Sequence, residues 1–322
     1  MTEILALKEE VGEDLAGLRL DQAAAKLFPD YSRARIQEWI RDGQLLLDGK
    51  SAKTKDKVQG GELLTLTPEA EVRVTFAAEQ LPLNIVFEDA SVIVLNKPAG
   101  MVVHPGSGNH DGTLLNGLLA HCPALETLPR AGIVHRLDKD TSGLMVVAKT
   151  LQAHQSLVAQ LQERTVSRHY EAVVQGVVTA GGTVNAPLGR HPAMRQKRAV
   201  SSASDSRPAV THYRVLNRFR GYSHVRLQLE TGRTHQIRVH MAHIGYPLVG
   251  DPQYGGRLRL PRGASPELLD TLQTFRRQAL HARSLGFVHP RTGEEVSWDS
   301  ELADDFKSLL LVLAADASRT DD

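Results

Sequence analysis

From about residue 83 onward, short apolar runs recur between turn residues without settling into the strand–helix alternation of a parallel sheet. The runs "IVFED", "VIVLNKP", "LMVVAKT", "HYEAVVQGVV", "VTHYRVLNRF", "HVRLQLE" and "THQIRVHMAHI" are rich in β-branched and aliphatic residues and are bounded by Gly, Pro and Asp. That is the pattern of strands closed by turns. Helical spacing is confined to 114–121, 151–164 and 266–277. Strands outnumber helices and do not come in βαβ units, so the expected class is α+β, with a mainly antiparallel sheet and flanking helices. No internal repeat is evident, and the closing "DASRTDD" reads as a frayed tail.

A chain of 322 residues with 41% apolar residues can bury a large core but exceeds the usual size of one compact domain. One large domain and one small domain are expected. The opening "MTEILALKEEVGEDLAG" is acidic and lacks a basic start followed by an apolar stretch, and the longest apolar run, "LLLVLAA" from Leu309, is too short to span a bilayer. A soluble, cytoplasmic protein with no membrane partner is the expectation. The single cysteine, Cys122, has no intrachain disulfide partner and offers no thiolate cluster for zinc. It is expected as a small buried residue. The net charge of +1 is nearly neutral, so the distribution of charge carries more information than its sum.

Between Gly17 and Gly60 there are nine Lys or Arg against six acids. This patch has internal order. "LRLDQAAAKLF" has apolar residues at helical spacing, and "SRARIQEWIRDG" opens on Ser32 as an N-cap and closes on Gly43. "QLLLDGKSAKTKDKVQGGELLTL" then alternates short apolar runs with Asp-Gly and Gly-Gly turns, which predicts small strands with lysines on their connections. The "RLDQ" start, the "SR" helix opening and the "DGK" turn resemble the S4 RNA-binding domain. Asp48 stands where that family more often has Asn, and either residue tolerates the turn. The resemblance implies that Arg33, Arg35, Arg41, Lys50 and Lys53 face structured RNA; charge counts alone leave a solvated basic face equally open. The expected organisation is an N-terminal extension over 1–16, the S4 domain over 17–76, a linker over 77–84 overlapping a proline-bounded stretch from Pro68 to Pro82, a large domain over 85–313 and a tail over 314–322.

Two charged stretches interrupt the strand pattern of the large domain. In "AGIVHRLDKDTSGLMVVAKT" the polar "HRLDKDTSG" lies between apolar "GIV" and "LMVVA", predicting a strand, a tight loop and a strand. Asp140, followed by Thr141, Ser142 and Gly143, reads as a turn former whose carboxylate bonds its own backbone. Asp138, between Arg136 and Lys139, reads equally as a structural ion pair or as a catalytic carboxylate. The second stretch, "LETGRTHQIRVHMAHIGYPLVGDPQYGG", holds His235, His240 and His243. They lack the i, i+4 spacing of a helical zinc pair, and on an alternating strand His235 and His240 face opposite ways, so no metal site is expected. The basic clusters "RHPAMRQKR" from Arg190 and "RLRLPR" from Arg257 suit RNA phosphates or solvated loops alike.

Together, "HRLDKDTSGLMVVAK", "TGRTHQIRVHMAHIGYPLVGD", "VLNKPAGMVVHPGSG" and "RQALHA" resemble the RluA family of pseudouridine synthases across the whole large domain. The resemblance implies conversion of uridine to pseudouridine in RNA with no cofactor. Its nearest members imply 23S ribosomal RNA or the assembling large ribosomal subunit as partner, with the helix 69 stem-loop as target. A monomer is expected, although the sequence carries no direct sign of oligomeric state. By position, Asp138 matches the family's catalytic aspartate. Arg238 matches its basic partner, and Tyr170 a tyrosine that stacks on the target uracil. Leu280 matches an apolar wall of the base, and Arg136 is suited to opening the stack or holding backbone. The reaction breaks the N1–C1′ bond, rotates the uracil and rejoins it through C5. A carboxylate could attack C1′, attack C6 or remove a proton, and the sequence favours none of these routes. Three further readings stay open: a noncatalytic S4-type RNA-binding protein, a pseudouridine synthase acting on another structured RNA, and a hydrolase using Asp138 and Asp140 as paired carboxylates.

Overall fold

The structure, a computed structural model, describes residues 6–29, 31, 33–67, 76–106, 108–194 and 196–319. Ser32, the residues from Pro68 to Thr75 in the expected linker stretch, Arg195 in the first basic cluster and the last three residues of the tail lie outside that description. The chain divides into two compact units, Met1–Thr75 and Phe76–Asp322.

In the small unit, strand β1 (Leu7–Glu10) is followed by helices α1 (Leu20–Leu27) and α2 (Arg33–Arg41) and strands β2 (Leu45–Leu47) and β3 (Leu63–Leu66). The three strands form one antiparallel sheet in the order β1-β3-β2. The segment before Gly17, expected as an extension, is therefore part of this unit: β1 supplies an edge strand, and Val11 and Leu15 are buried with Leu20, Ile36 and Leu64. Its three consecutive charged residues, Lys8, Glu9 and Glu10, hid a strand whose side chains are mostly exposed. The "DGK" turn forms as expected. Asp48 and Gly49 both have positive φ, backbone bonds run both ways between Leu47 and Lys50, and the Asp48 carboxylate accepts from Leu63 N at 2.8 Å.

The large unit is built on a nine-stranded sheet among the described residues. In chain order its elements are β4 (Ile85–Glu88), β5 (Val92–Lys97), α3 (Leu114–His121), β6 (Ser142–Ala148), α4 (Leu151–Glu163), β7 (Ser167–Gln175), β8 (Gly182–Asn185), β9 (Leu188–Arg190) and β10 (Arg198–Val200). Then follow β11 (Val210–Phe219), β12 (Tyr222–Leu229), α5 (Gln236–His243), α6 (Pro266–Thr274), β13 (Leu280–Val288), β14 (Glu295–Asp299) and α7 (Asp304–Ala317). The strand order is β4-β5-β6-β13-β7-β12-β11-β8, with β14 against β13 and β9 and β10 paired separately. Among the described residues, every strand pairing is antiparallel except β6 with β13. At that junction Gly143, with φ 116°, leaves no room for a side chain: a Cβ there would lie 2.3 Å from the Ala282 carbonyl oxygen.

Several expectations change here. "THQIRVHMAHI" is a helix, α5, because the buried Gln236 amide anchors its first turn. That amide accepts from Thr231 Oγ1 and Arg233 N and donates to the Val210 carbonyl, and these tertiary bonds override the strand-like Ile and Val. "GIV" forms only an isolated bridge between Ile133 and Val147, not a strand. The expected linker 77–84 packs along α3, where Asn116 donates to the Ala77 carbonyl, Glu79 N bonds the Asn116 carbonyl, and Leu81 and Leu83 lie against Gly117. The tail begins later than Leu313, since α7 runs to Ala317 and buried Asp316 accepts from Ser265 N. Among the described residues, no helix is long and apolar enough to cross a membrane.

Candidate active site

A cleft of about 530 Å³ opens between the loop before β6, the start of β7 and the first turn of α5. Asp138, Arg136, Tyr170, Arg238 and Leu280 all line it, although they come from four separate parts of the sequence. Asp140 does not line it. The turn at Asp140 is closed by Thr141 N donating to the Asp138 carbonyl, and the Asp140 carboxylate accepts no hydrogen bond among the described residues, in contrast to the expected self-bonded turn former.

The Asp138 carboxylate keeps 17% of its side-chain surface open and takes a 2.9 Å hydrogen bond from Arg238 Nη1. Arg238 is 5% exposed and is itself fixed from behind: Nε and Nη2 donate to the two Asp251 oxygens at 2.7 and 2.9 Å. Asp251 also accepts from Gln253 N and Tyr254 N. Burial disfavours both charges, but the mutual hydrogen bonds outweigh it, moving the Asp251 carboxyl down and the Arg238 guanidinium up from their ordinary ranges. The fork geometry needs Arg, since a lysine presents one point charge. The Tyr254 ring lies beneath the guanidinium, 5.0 Å from it. Tyr254 also joins two other groups, since its hydroxyl is 2.8 Å from His235 Nδ1 and accepts from Arg198 N on β10. His235 Nε2 is 3.8 Å from Asp138.

Tyr170 and Leu280 are buried at the cleft wall. Burial raises the Tyr170 hydroxyl above its ordinary pKa, so the ring stands in the cleft as a neutral phenol. Arg136 is exposed at its mouth. The loop carrying Asp138 is held from beneath. Lys97, fully buried, donates to the carbonyls of Pro98, Met101 and Lys139. Arg277 spans Asp305 on α7 and the Asp140 carbonyl, Gln278 donates to Thr141, and His281 pairs with Ser142.

Sequence reasoning missed Asp251, Tyr254, Lys97 and Arg277, although all four lie inside the motifs it singled out; their chemistry shows only once the fold brings them to Arg238 and the loop. The histidines separate: His240 is buried with both ring nitrogens bonded, to Thr211 Oγ1 and the Ala186 carbonyl, whereas His243 is exposed.

In the small unit, the five basic residues do different work. Arg33 forks onto the buried Asp21 carboxylate at 2.8 and 3.0 Å, beside Arg19 and Gln37. Arg35 pairs with Glu38 and lies over the Trp39 ring. Arg41, which donates to the Gln37 carbonyl, and Lys50 and Lys53 are exposed. In the large unit, Arg190, Arg257, Arg259 and Arg262 are exposed as well.

Residues 91–243 match the family described as RNA pseudouridylate synthase, and residues 18–64 match the S4 domain. A ribosomal large subunit pseudouridine synthase D from Pseudomonas aeruginosa is 57% identical, covering 98% of both chains. The protein of the same name from a strain of Escherichia coli is 54% identical over 98% of this chain and 97% of its own. This chain belongs to the RNA pseudouridine synthase family. As a pseudouridine synthase with an N-terminal S4 domain, it shares its fold with the human RNA pseudouridylate synthase domain containing 4 protein, at 27% identity and a TM-score of 0.57 over 72% of this chain and 93% of that one. The noncatalytic reading of the S4 block is set aside by this membership.

Proposed function

We propose that this pseudouridine synthase isomerises uridines of 23S ribosomal RNA in the cytoplasm, in the helix 69 stem-loop, acting on free rRNA or the assembling large subunit with Asp138 as its essential carboxylate. The substrate class rests on the rRNA-directed names of relatives that match nearly end to end. The observation that carries the chemistry is Asp138 itself, a partly open carboxylate aimed into a cleft of small-molecule size and fixed by a doubly anchored arginine.

The nucleotide must leave its stack to bring the glycosidic bond to a protein carboxylate, and loop nucleotides do so at least cost. In the cleft, the uracil stacks on Tyr170 against Leu280, while Arg136 at the mouth takes the RNA backbone. Asp138 acts as nucleophile at C1′ or C6, or as base toward a glycal. In each case N1–C1′ breaks, C5–C1′ forms, C5 loses its proton and N1 gains one, so RNA mass is unchanged. Arg238 holds the Asp138 carboxylate in place through its hydrogen bond. Arg41, Lys50 and Lys53 of the S4 unit add phosphate contacts that supply affinity. The paired-carboxylate hydrolase is disfavoured by the placement of Asp140 outside the cleft lining.

Asp138→Asn tests this. It is expected to abolish release of tritium from [5-³H]uridine-labelled 23S rRNA while RNA affinity stays within about twofold, and Asp140→Asn stays substantially active. Equal loss in both folded variants, or release of free uracil by the wild type, would overturn the reading.

A further inference from the structure

Among the groups lining the cleft, Arg168 has no role in the chemistry above. It lies on β7 two residues before Tyr170, so both side chains leave the same face of the strand. It is 6% exposed, and its Nε has no hydrogen-bond partner among the described residues. No ion pair engages its guanidinium among the described residues. Buried guanidinium groups are ordinarily matched to a carboxylate or fully hydrogen-bonded, because an uncompensated buried charge is costly.

The surroundings preserve this charge without neutralising it. Gly232, in the "TGR" turn, lies against the guanidinium: a Cβ there would come within 2.7 Å of Nη1. The φ of Gly232 is not positive, so the glycine provides space and not backbone freedom. The neighbouring cleft wall adds Arg130, Arg136, Arg164 and Arg233. His135 stays neutral beside it, pushed down to about 3 by burial and then by the Arg168 charge. The site thus combines a preorganised cation with an excess of positive charge, and the two carboxylates on the same lining are engaged elsewhere, Asp138 by Arg238 and Glu230 by Arg164.

We propose that Arg168 is a phosphate-binding residue, which takes a phosphodiester flanking the flipped uridine and holds the nucleotide with its base on Tyr170. A guanidinium matches phosphate oxygens bidentately, and placing it one strand position pair from the stacking ring ties the backbone grip to the base grip. The inference rests on the reading of this cleft as the uridine site.

The test uses the full-length enzyme, Arg168→Met and a helix 69 stem-loop carrying single neutral methylphosphonate linkages on either side of each modified uridine. One such linkage is expected to weaken binding to the wild type by tenfold or more and to leave Arg168→Met unchanged. Arg168→Met should bind the unmodified RNA at least tenfold more weakly, with a salt slope shallower by about 0.7 to 0.9. Two measurements are independent of the RNA. The variant should unfold at the same or a higher temperature than the wild type, because an unpaired buried charge is gone, and inorganic phosphate should raise the midpoint of the wild type alone, against chloride at equal ionic strength.

Neutral linkages that weaken both proteins equally, or a variant that binds RNA as the wild type does, would overturn the proposal. A variant that fails to fold or melts early would do so as well, since it would make Arg168 a structural residue. Phosphate protection without any linkage effect would reduce the site to one for free phosphate and also overturn it. If the wild type leaves the stem-loop unmodified, the substrate reading fails by itself, and the phosphate and unfolding measurements still decide whether Arg168 is an anion site.

Discussion

Arg238→Lys isolates what the anchored fork contributes. In the wild type, three charge-assisted hydrogen bonds of 2.7 to 2.9 Å leave this guanidinium, two to Asp251 and one to Asp138. A lysine ammonium at the end of its stem satisfies one carboxylate and not both. With Asp251 fully buried, the ammonium stays with it, and Asp138 loses its partner. One hydrogen bond to a charged group is worth about 1.5–3 kcal/mol; if that bond is fully expressed in the transition state, the single-turnover rate falls about 10- to 150-fold. A second bond lost at Asp251 lowers stability by a similar amount, which moves the unfolding midpoint of a unit this size down by about 3–12 °C. The assay is single-turnover tritium release at saturating rRNA, with calorimetry alongside. Affinity should stay within threefold, because neither carboxylate nor arginine is assigned to RNA backbone. A wild-type rate in Arg238→Lys, or a loss confined to affinity, would refute the claim that Arg238 acts by fixing Asp138.

Burial pushes the Lys97 ammonium down to about 7 from an ordinary 10.5. Between those values the unfolded chain binds a proton that the folded chain has released, so this group makes stability rise with pH across that window. Calorimetry from pH 7 to 10 should show the rise in the wild type and a flatter course in Lys97→Met; equal slopes would refute the assignment. In the small unit, Arg41→Gln, Lys50→Gln and Lys53→Gln should each make the salt dependence of RNA binding shallower by about 0.7 to 0.9. Arg33→Gln should instead lower the unfolding temperature of that unit, because it strips a partner from buried Asp21. An Arg33→Gln variant of unchanged stability would contradict this division.

The fold was legible where local signals agree with tertiary demand. The helix at Leu114–His121 falls where helical spacing of the apolar residues placed one, and Thr113 caps it. Helix α5 was not, because Ile237 and Val239 favour a strand and the deciding bonds of Gln236 come from residues before and across the sheet. Strand β1 escaped notice for the opposite reason: its pairing is made by backbone, while its side chains advertise solvent. At the site, Asp138, Tyr170 and Arg238 were assigned from motif position, and the fold gathers them into one cleft. Asp251 is indistinguishable from a turn aspartate until Arg238 is seen thirteen residues back in sequence and 2.7 Å away. Arg33 shows the limit of counting charge, since a basic residue in a basic patch is here committed to an internal carboxylate.

The position of β13 has a consequence for how the protein is made. This late strand, Leu280–Val288, lies in the middle of the sheet, parallel to β6 on one side and antiparallel to β7 on the other. The strands before it fall into two runs of near neighbours, β4-β5-β6 and β7-β12-β11-β8, each able to form by local pairing as it leaves the ribosome. Until residue 288 has been synthesised, both runs present an unpaired inner edge, and such edges invite wrong partners. Arg277, Gln278, Leu280 and His281, which brace or line the Asp138 loop, arrive on the same late segment. One late segment thus joins the two runs of the sheet and supplies residues that brace the pocket. A nascent chain stalled before β13 carries the motifs up to "HQIRVH" but lacks the strand that joins the two runs and the residues that brace the Asp138 loop.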